Sequence, residues 1–381
     1  MRRIAYYLPN LHLEDDINLG QFRLLKAYKW DNSESLIEQK VFGDINGTLI
    51  EVDGFSTGDM FSPTVNESIY RELELIKFAY FFSTLSNHHG FVSNDAFEVF
   101  RIIEKNKDPS FEHKVCLNNG IDSFLMSLDK YYNSKALSGG FGRALLTKHD
   151  LKYFHLIKSL PLSDDDLMII SIFNKTRNLY TDSDFVDRVL FARIAIEKLT
   201  KKLEWKLPQI TEKFLDDALK FIESNKVENE EIKNFFVENV MKKRELIKVN
   251  IEKYLNGLKD ARHALAHAGE QSNDFQNICY FMAWFPIAFT LSFEPKEPEQ
   301  DFVLRTIFLL AASGADIQKW QEREYTLTSS KRTILESFEH ISRVMPKLVS
   351  RGNCEYIELY LKGFKSSIAQ EKANKCVMQE F

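Results

Sequence analysis

Cysteine is scarce in this sequence. Cys116, Cys279, Cys354 and Cys376 are the only four thiols in 381 residues, and they are scattered with no C-x-x-C pair. A disulfide scaffold is excluded, and the four read as reduced thiols. Long hydrophobic runs are also missing. The longest, residues 280–293, contains Trp284 and Pro286 and falls short of the roughly 18 residues a membrane-spanning helix needs. At the N-terminus, MRRIAYYLPN has five apolar residues before Pro9, too few for a signal-peptide core. Positive charge is not in excess either. The net charge of −5 means that the surface as a whole does not attract nucleic acid, so any RNA site must be a local basic patch. These absences together predict a soluble, cytoplasmic protein without a membrane segment.

What is present is enough apolar material for real cores, 44% hydrophobic and 13% aromatic residues, in a chain long enough for two or three domains. Residues 1–62 have a strand-like texture, with IAYYL, FRLLKAYKW, LIEQKVF and TLIEV separated by Gly and Asn/Asp clusters. Asn46-Gly47 between VFGDI and TLIEV is a hairpin signal. Asp15-Asp16 fits a turn better than a metal site. From Glu67 the period changes: Ile69, Leu73, Ile76, Tyr80 and Leu85 recur near helical spacing, and FVSNDAFEVFRII and GIDSFLMSLDKYY are expected to be shorter helices. His88-His89-Gly90 reads as a loop rather than a metal pair. SGGFG, at 138–142, lacks the Lys-Ser/Thr of a phosphate loop and reads as a connection. Residues 63–162 are thus taken as a helical region.

Ser163-Asp164-Asp165-Asp166 supplies a cap and first-turn acids, which predicts a helix start. A second helix should follow Thr181-Asp182-Ser183 with a core stripe of Phe185, Val189, Ala192, Ile196, Leu199 and Leu203, and stop at Pro208. On its surface Glu197, one turn beyond Arg193, either pairs with that arginine or turns toward a more distant one. A third helix is expected in LPQITEKFLDDALKFIESN, followed by a polar stretch. The basic run Lys242, Lys243, Arg244 and Lys248 is the most plausible local phosphate site, although a charge run is more often a solvated face.

The stretch around which these elements are organised is 245–269, ELIKVNIEKYLNGLKDARHALAHAG. Ile247, Ile251, Tyr254, Leu258, Ala261, Leu265 and Ala268 recur at steps of four and three, as one buried helix face requires, and Gly269 should end the helix. At about 100° per residue, Arg262 falls at the edge of the core face, while His263 and His267 fall near its opposite side. Alanines at 261, 264, 266 and 268 would let a second backbone approach closely. After a polar loop, ICYFMAWFPIAFTLSF should form an apolar helix kinked or interrupted at Pro286, completing a four-helix core. Residues 296–381 read as a helical C-terminal extension.

Arg262, a polar His263, three further residues and His267 near a helix end resemble the R-x4-H motif of HEPN ribonucleases, and FVDRVLFARIAIEKL is similar to a helix of ApeA-like HEPN domains. The likeness covers roughly 163–293, about a third of the chain, within a HEPN-like bundle taken as 163–295. It implies a mainly α fold, a HEPN-type helical bundle flanked by the small β-rich N-terminal module and the helical C-terminal extension. It further implies a homodimeric, metal-independent endoribonuclease that needs no cofactor. Arg262 would bind phosphate, His267 would serve as acid or base, His263 would help position the pair, and Glu197 would orient Arg262. Attack by the ribose 2′-OH would leave a 2′,3′-cyclic phosphate and a 5′-hydroxyl. ApeA-like proteins are associated with defence against phage and with growth-arresting toxicity, which implies an RNA substrate and leaves room for a regulatory partner.

Three alternatives stand beside this reading. Arg262 and His267 can be surface residues of an ordinary bundle. His263 and His267, four apart, can share a metal ion, although position 264 is alanine rather than glutamate and a third ligand would have to be Glu270, Asp274 or something distant. The domain can also be a non-catalytic module that binds nucleotide or a partner protein.

Overall fold

The computed structural model describes residues 4–8, 11–19, 22–26, 47–52, 67–84, 97, 100–103, 115–118, 123–126, 144–176, 182–204, 206–225, 227, 230–268, 275–295 and 300–314. Two compact units divide the chain. The first comprises residues 1–199 with 261–272, the second 200–260 with 273–381.

In the first unit, strands β1 (Ile4–Leu8), β2 (Leu11–Leu13), β3 (Ile17–Asn18), β4 (Phe22–Lys26) and β5 (Thr48–Val52) follow the strand-like texture of the N-terminus. The sheet then continues into the region expected to be helical. FVSNDAFEVFRII contributes β6 (Phe100–Ile103) and GIDSFLMSLDKYY contributes β8 (Ser123–Met126), with β7 (Val115–Asn118) between them. Short apolar runs of this kind fit either periodicity. The deciding partner is remote: Tyr6 of β1 lies opposite Ile50 on one side and Arg101 on the other. The described strands form a seven-stranded sheet in the order β3-β4-β5-β1-β6-β7-β8, antiparallel throughout. A parallel pair joins β2 to β9 (Ala144–Leu146). The buried Thr48 Oγ1 donates to the Leu11 carbonyl at 2.7 Å, giving that carbonyl a partner across the two sheets. Residues 14 and 15 form a bend, with Asp15 2.9 Å from Lys148 and Asp16 accepting from the Lys26 amide, so the expected turn is present. Asn46 and the run before it, His88-His89-Gly90 and the 138–142 segment lie outside the described residues.

Helix α1 (Glu67–Thr84) packs against α2 (Lys148–Lys158) and α3 (Asp164–Lys175). Phe78 meets Phe173 edge-on at 5.2 Å and Phe82 meets Tyr153 at 4.7 Å, a favourable aromatic geometry in a core where the area removed from water supplies most of the stabilisation. Ser163 caps α3 as its sequence predicts: its amide donates to Asp166 Oδ2 at 2.9 Å while its hydroxyl accepts from the Asp166 amide. An ion pair within α1 is buried where that helix meets α3. Lys77 Nζ lies 2.5 Å from Glu74 Oε1, and Asn174 Nδ2 donates to the other carboxylate oxygen at 2.8 Å. The same unit contains most of α4 (Asp182–Lys202), whose Val189, Ala192, Ala195, Ile196 and Leu199 are buried. Leu203 falls beyond the end of this helix, which stops before Glu204 takes a left-handed φ of 56°. Pro208 is therefore not the stop signal. It sits in the first turn of α5 (Leu207–Ser224), where a missing amide costs nothing.

The second unit is built from α5, α6 (Glu230–Asn239), a 3-10 turn at Met241–Lys243, most of α7 (Arg244–Ala268), α8 (Phe275–Leu291) and α9 (Gln300–Ser313). The polar stretch before the motif helix is thus partly the additional helix α6. In α7, Ile247, Ile251, Tyr254, Leu258 and Ala261 are buried on the face that their spacing marks, together with Leu255. Helix α8 continues through Pro286, and the buried Thr290 hydroxyl donates to the Pro286 carbonyl at 2.7 Å. Gly257 permits close approach of α7 and α8, since a Cβ there would lie 2.1 Å from Asn277 Nδ2. Tyr254 stacks on Tyr280 at 4.3 Å, and the Tyr280 hydroxyl lies 2.8 Å from Ser313 Oγ on α9. Helix α9 packs against α5, α6 and α8. It lies in the C-terminal extension expected to be helical, and the part of that extension beyond 314 lies outside the described residues. The architecture is mostly helical with a sheet module at the N-terminal end.

Candidate functional site

The end of α7 and the middle of α4, both in the first unit, bring three charged side chains together. The apolar stripe of α7 buries Leu258 and Ala261, so Arg262 falls at the margin of that face and its side chain keeps 44% of its exposure. On α4 the buried stripe leaves Arg193 and Glu197 on a common side, one turn apart. Arg262 Nη1 donates to Glu197 Oε1 at 2.8 Å, and Arg193 Nε donates to the same oxygen at 2.9 Å. The sequence offers Glu197 to one arginine or the other. In the structure it serves both.

The three side chains differ in setting. Glu197 and Arg262 are each more than two-fifths exposed, so their pair contributes about 1 kcal/mol or less to stability, and its value lies in geometry. The Arg193 side chain, by contrast, is 14% exposed. Its Nη1 has no accessible surface and no acceptor, an arrangement that costs about 1–3 kcal/mol for a buried unsatisfied donor. Of the two guanidiniums that share this carboxylate oxygen, Arg262 is the half-exposed one. A planar, permanently charged and half-exposed fork suits a phosphate or carboxylate.

His263 follows Arg262 on the exposed side of α7. His267 stands five positions beyond Arg262 in the last turn of the same helix, and its side chain lies outside the described residues, as do Gly269, Glu270 and Asp274. Among the described residues, no group of three or more His, Cys, Asp or Glu side chains is arranged to hold a metal ion. None of the described helices is long and apolar enough to cross a membrane.

The basic run belongs to the second unit and is faced by acids. Lys242 lies 2.5 Å from Glu238, Arg244 pairs with Asp216, and Lys248 lies 2.9 Å from Glu212. Lys243 reaches Asn239 Oδ1 at 3.4 Å. The hydrogen bond with Glu212 holds the Lys248 ammonium above the usual lysine range, and the same bond holds the Glu212 carboxyl below its own. A phosphate at these positions would have to displace carboxylates, a condition invisible in the sequence because Glu212 and Asp216 come from α5. No protein-family model, curated protein or solved structure matches the chain.

Proposed function

We propose that this protein is a metal-independent endoribonuclease of HEPN type, centred on Arg262 and His267. The observation that supports it most is the Glu197–Arg262 contact. The arginine of an R-x4-H sequence sits half-exposed at the margin of its helix and is held at 2.8 Å by an acid from a neighbouring helix. That is the role the resemblance assigns to Glu197.

The chemistry follows from the residue types. A base removes the proton of a ribose 2′-OH, and O2′ attacks the adjacent phosphorus. The P–O5′ bond breaks and an acid protonates the departing 5′-oxygen, which leaves a 2′,3′-cyclic phosphate and a 5′-hydroxyl. The ordinary histidine pKa near 6.5 suits either proton transfer, and His267 takes one of them. Arg262 stabilises the charge that builds on the non-bridging oxygens. His263 helps position the pair. A single copy supplies one histidine of the motif for two proton transfers, so a homodimer with facing motifs completes the site. The proposed setting is cytoplasmic, as an effector of bacterial anti-phage defence controlled by an activator or a partner.

Purified protein incubated with a labelled RNA in excess EDTA tests the reading. Cleavage by the wild type and its loss in Arg262→Ala and His267→Ala are expected. RNA binding without cleavage in any condition would favour the alternative, a non-catalytic HEPN-type binding module in a larger defence complex. Cleavage abolished by EDTA would favour a metal enzyme.

A further inference from the structure

The ribonuclease reading uses Arg262 and Glu197 but gives no role to Arg193, and the structure makes this residue hard to dismiss as a surface ion pair. Its guanidinium is largely buried and one of its nitrogens has neither surface nor acceptor. Its Nε donates to Glu197 Oε1, the very oxygen that accepts from Arg262. A carboxylate oxygen that two cations share is less fully committed to either. Were Arg193 absent, Arg262 would be the one of these two guanidiniums left at that oxygen, and a phosphate would have to compete with the carboxylate for the fork.

We propose that Arg193 is a positioning residue that draws on the Glu197 carboxylate and thereby keeps Arg262 available to a phosphate anion. The inference deepens the ribonuclease reading at the same site. Arg193 itself need not touch substrate. It sits on α4 one turn before Glu197, where helical spacing and burial hold it at the carboxylate, while the Arg262 side chain is the more exposed of the two. Glu197 orients Arg262, and Arg193 prevents that orientation from becoming neutralisation.

The test reads the availability of Arg262 directly, by its rate of modification with phenylglyoxal followed by peptide mass spectrometry, alongside RNA cleavage kinetics. Methionine at position 193 fills similar volume and leaves no buried unpaired donor. In Arg193→Met the modification of Arg262 should slow about fivefold, as expected for a coupling between groups in one network, with KM for RNA raised by a similar factor and kcat little changed. Arg193→Lys, which keeps the charge, should restore both toward wild type, and Glu197→Gln should speed modification. Should Arg193→Met fail to fold, Arg193→Gln takes its place with the same expected direction. A merely structural role predicts the opposite sign, a loosened site in which Arg262 reacts as fast as in wild type or faster, and that result would overturn the proposal. The modification order stands apart from catalysis. If no variant cuts RNA and the order holds, the ribonuclease reading fails while the shared carboxylate remains supported.

Discussion

Glu197 carries two hydrogen bonds on one oxygen, and this sets what its substitution should do. Glu197→Gln removes the charge that orients Arg262 but keeps the size of the side chain. In the proposed nuclease, kcat should fall about tenfold, equivalent to about 1.4 kcal/mol in the transition state, while KM for RNA stays level or falls because one negative charge has left the site. Steady-state kinetics on a short RNA measure both; an unchanged kcat would remove Glu197 from the mechanism. Tyr280 offers a residue-scale prediction independent of function. Burial raises its pKa far above the ordinary tyrosine range, and the Ser313 hydrogen bond opposes this only in part. The folded state therefore keeps the proton that the unfolded chain loses near pH 10. The resulting stability is fully present below pH 10 and declines above it, by up to about 1.4 kcal/mol per pH unit for this one group. Urea unfolding of wild type and Tyr280→Phe between pH 8 and 11, values that bracket that unfolded pKa, should show the steeper alkaline loss in wild type. The variant should be about 1 kcal/mol less stable at neutral pH for want of the hydrogen bond.

At the scale of elements, what was legible in the sequence is what local chemistry decides. The α3 start is written in Ser163 and its three following aspartates, and Ser163→Ala should cost about 1 kcal/mol in urea or thermal unfolding; no change would mean that Asp164, paired with Arg71 at 3.1 Å, and its neighbours suffice. The α7 stripe was equally legible, since steps of three and four leave little choice of buried face. Strands β6 and β8 were not, because four apolar-rich residues do not fix a period and their partners are remote in sequence. The burial of the Glu74–Lys77 pair was hidden for the same reason: the two lie three positions apart on α1, but Asn174, which donates to Glu74 from α3, lies 100 positions away. Breaking that pair should be far more costly than losing a cap. Lys77→Met leaves the Glu74 carboxylate buried with its cation gone, and a loss of about 3 kcal/mol or more is expected. A denaturation midpoint within error of wild type would contradict it. The candidate site was legible as residue types and spacing. The sharing of one carboxylate oxygen by Arg193 and Arg262 was not, because it depends on how α4 meets the end of α7.

At the scale of the whole molecule, a chain with a net charge of −5 gives RNA little general attraction, and the basic run at 242–248 is largely offset by Glu212, Asp216 and Glu238. In the proposed nuclease, RNA recognition would then rest on a few local cations, with Arg262 foremost among those described near the motif. Doubling of the motif across a twofold axis would double that local charge and supply the second proton-transfer group. The most direct measurement is the chemistry of the product ends. Wild type and His267→Ala are incubated with a defined RNA in excess EDTA, and the fragments are analysed by mass spectrometry. A HEPN-type nuclease centred on His267 should give 2′,3′-cyclic phosphate and 5′-hydroxyl ends with the wild type and leave the RNA intact with the variant. Fragments bearing 5′-phosphates, or equal cleavage by both proteins, would contradict it.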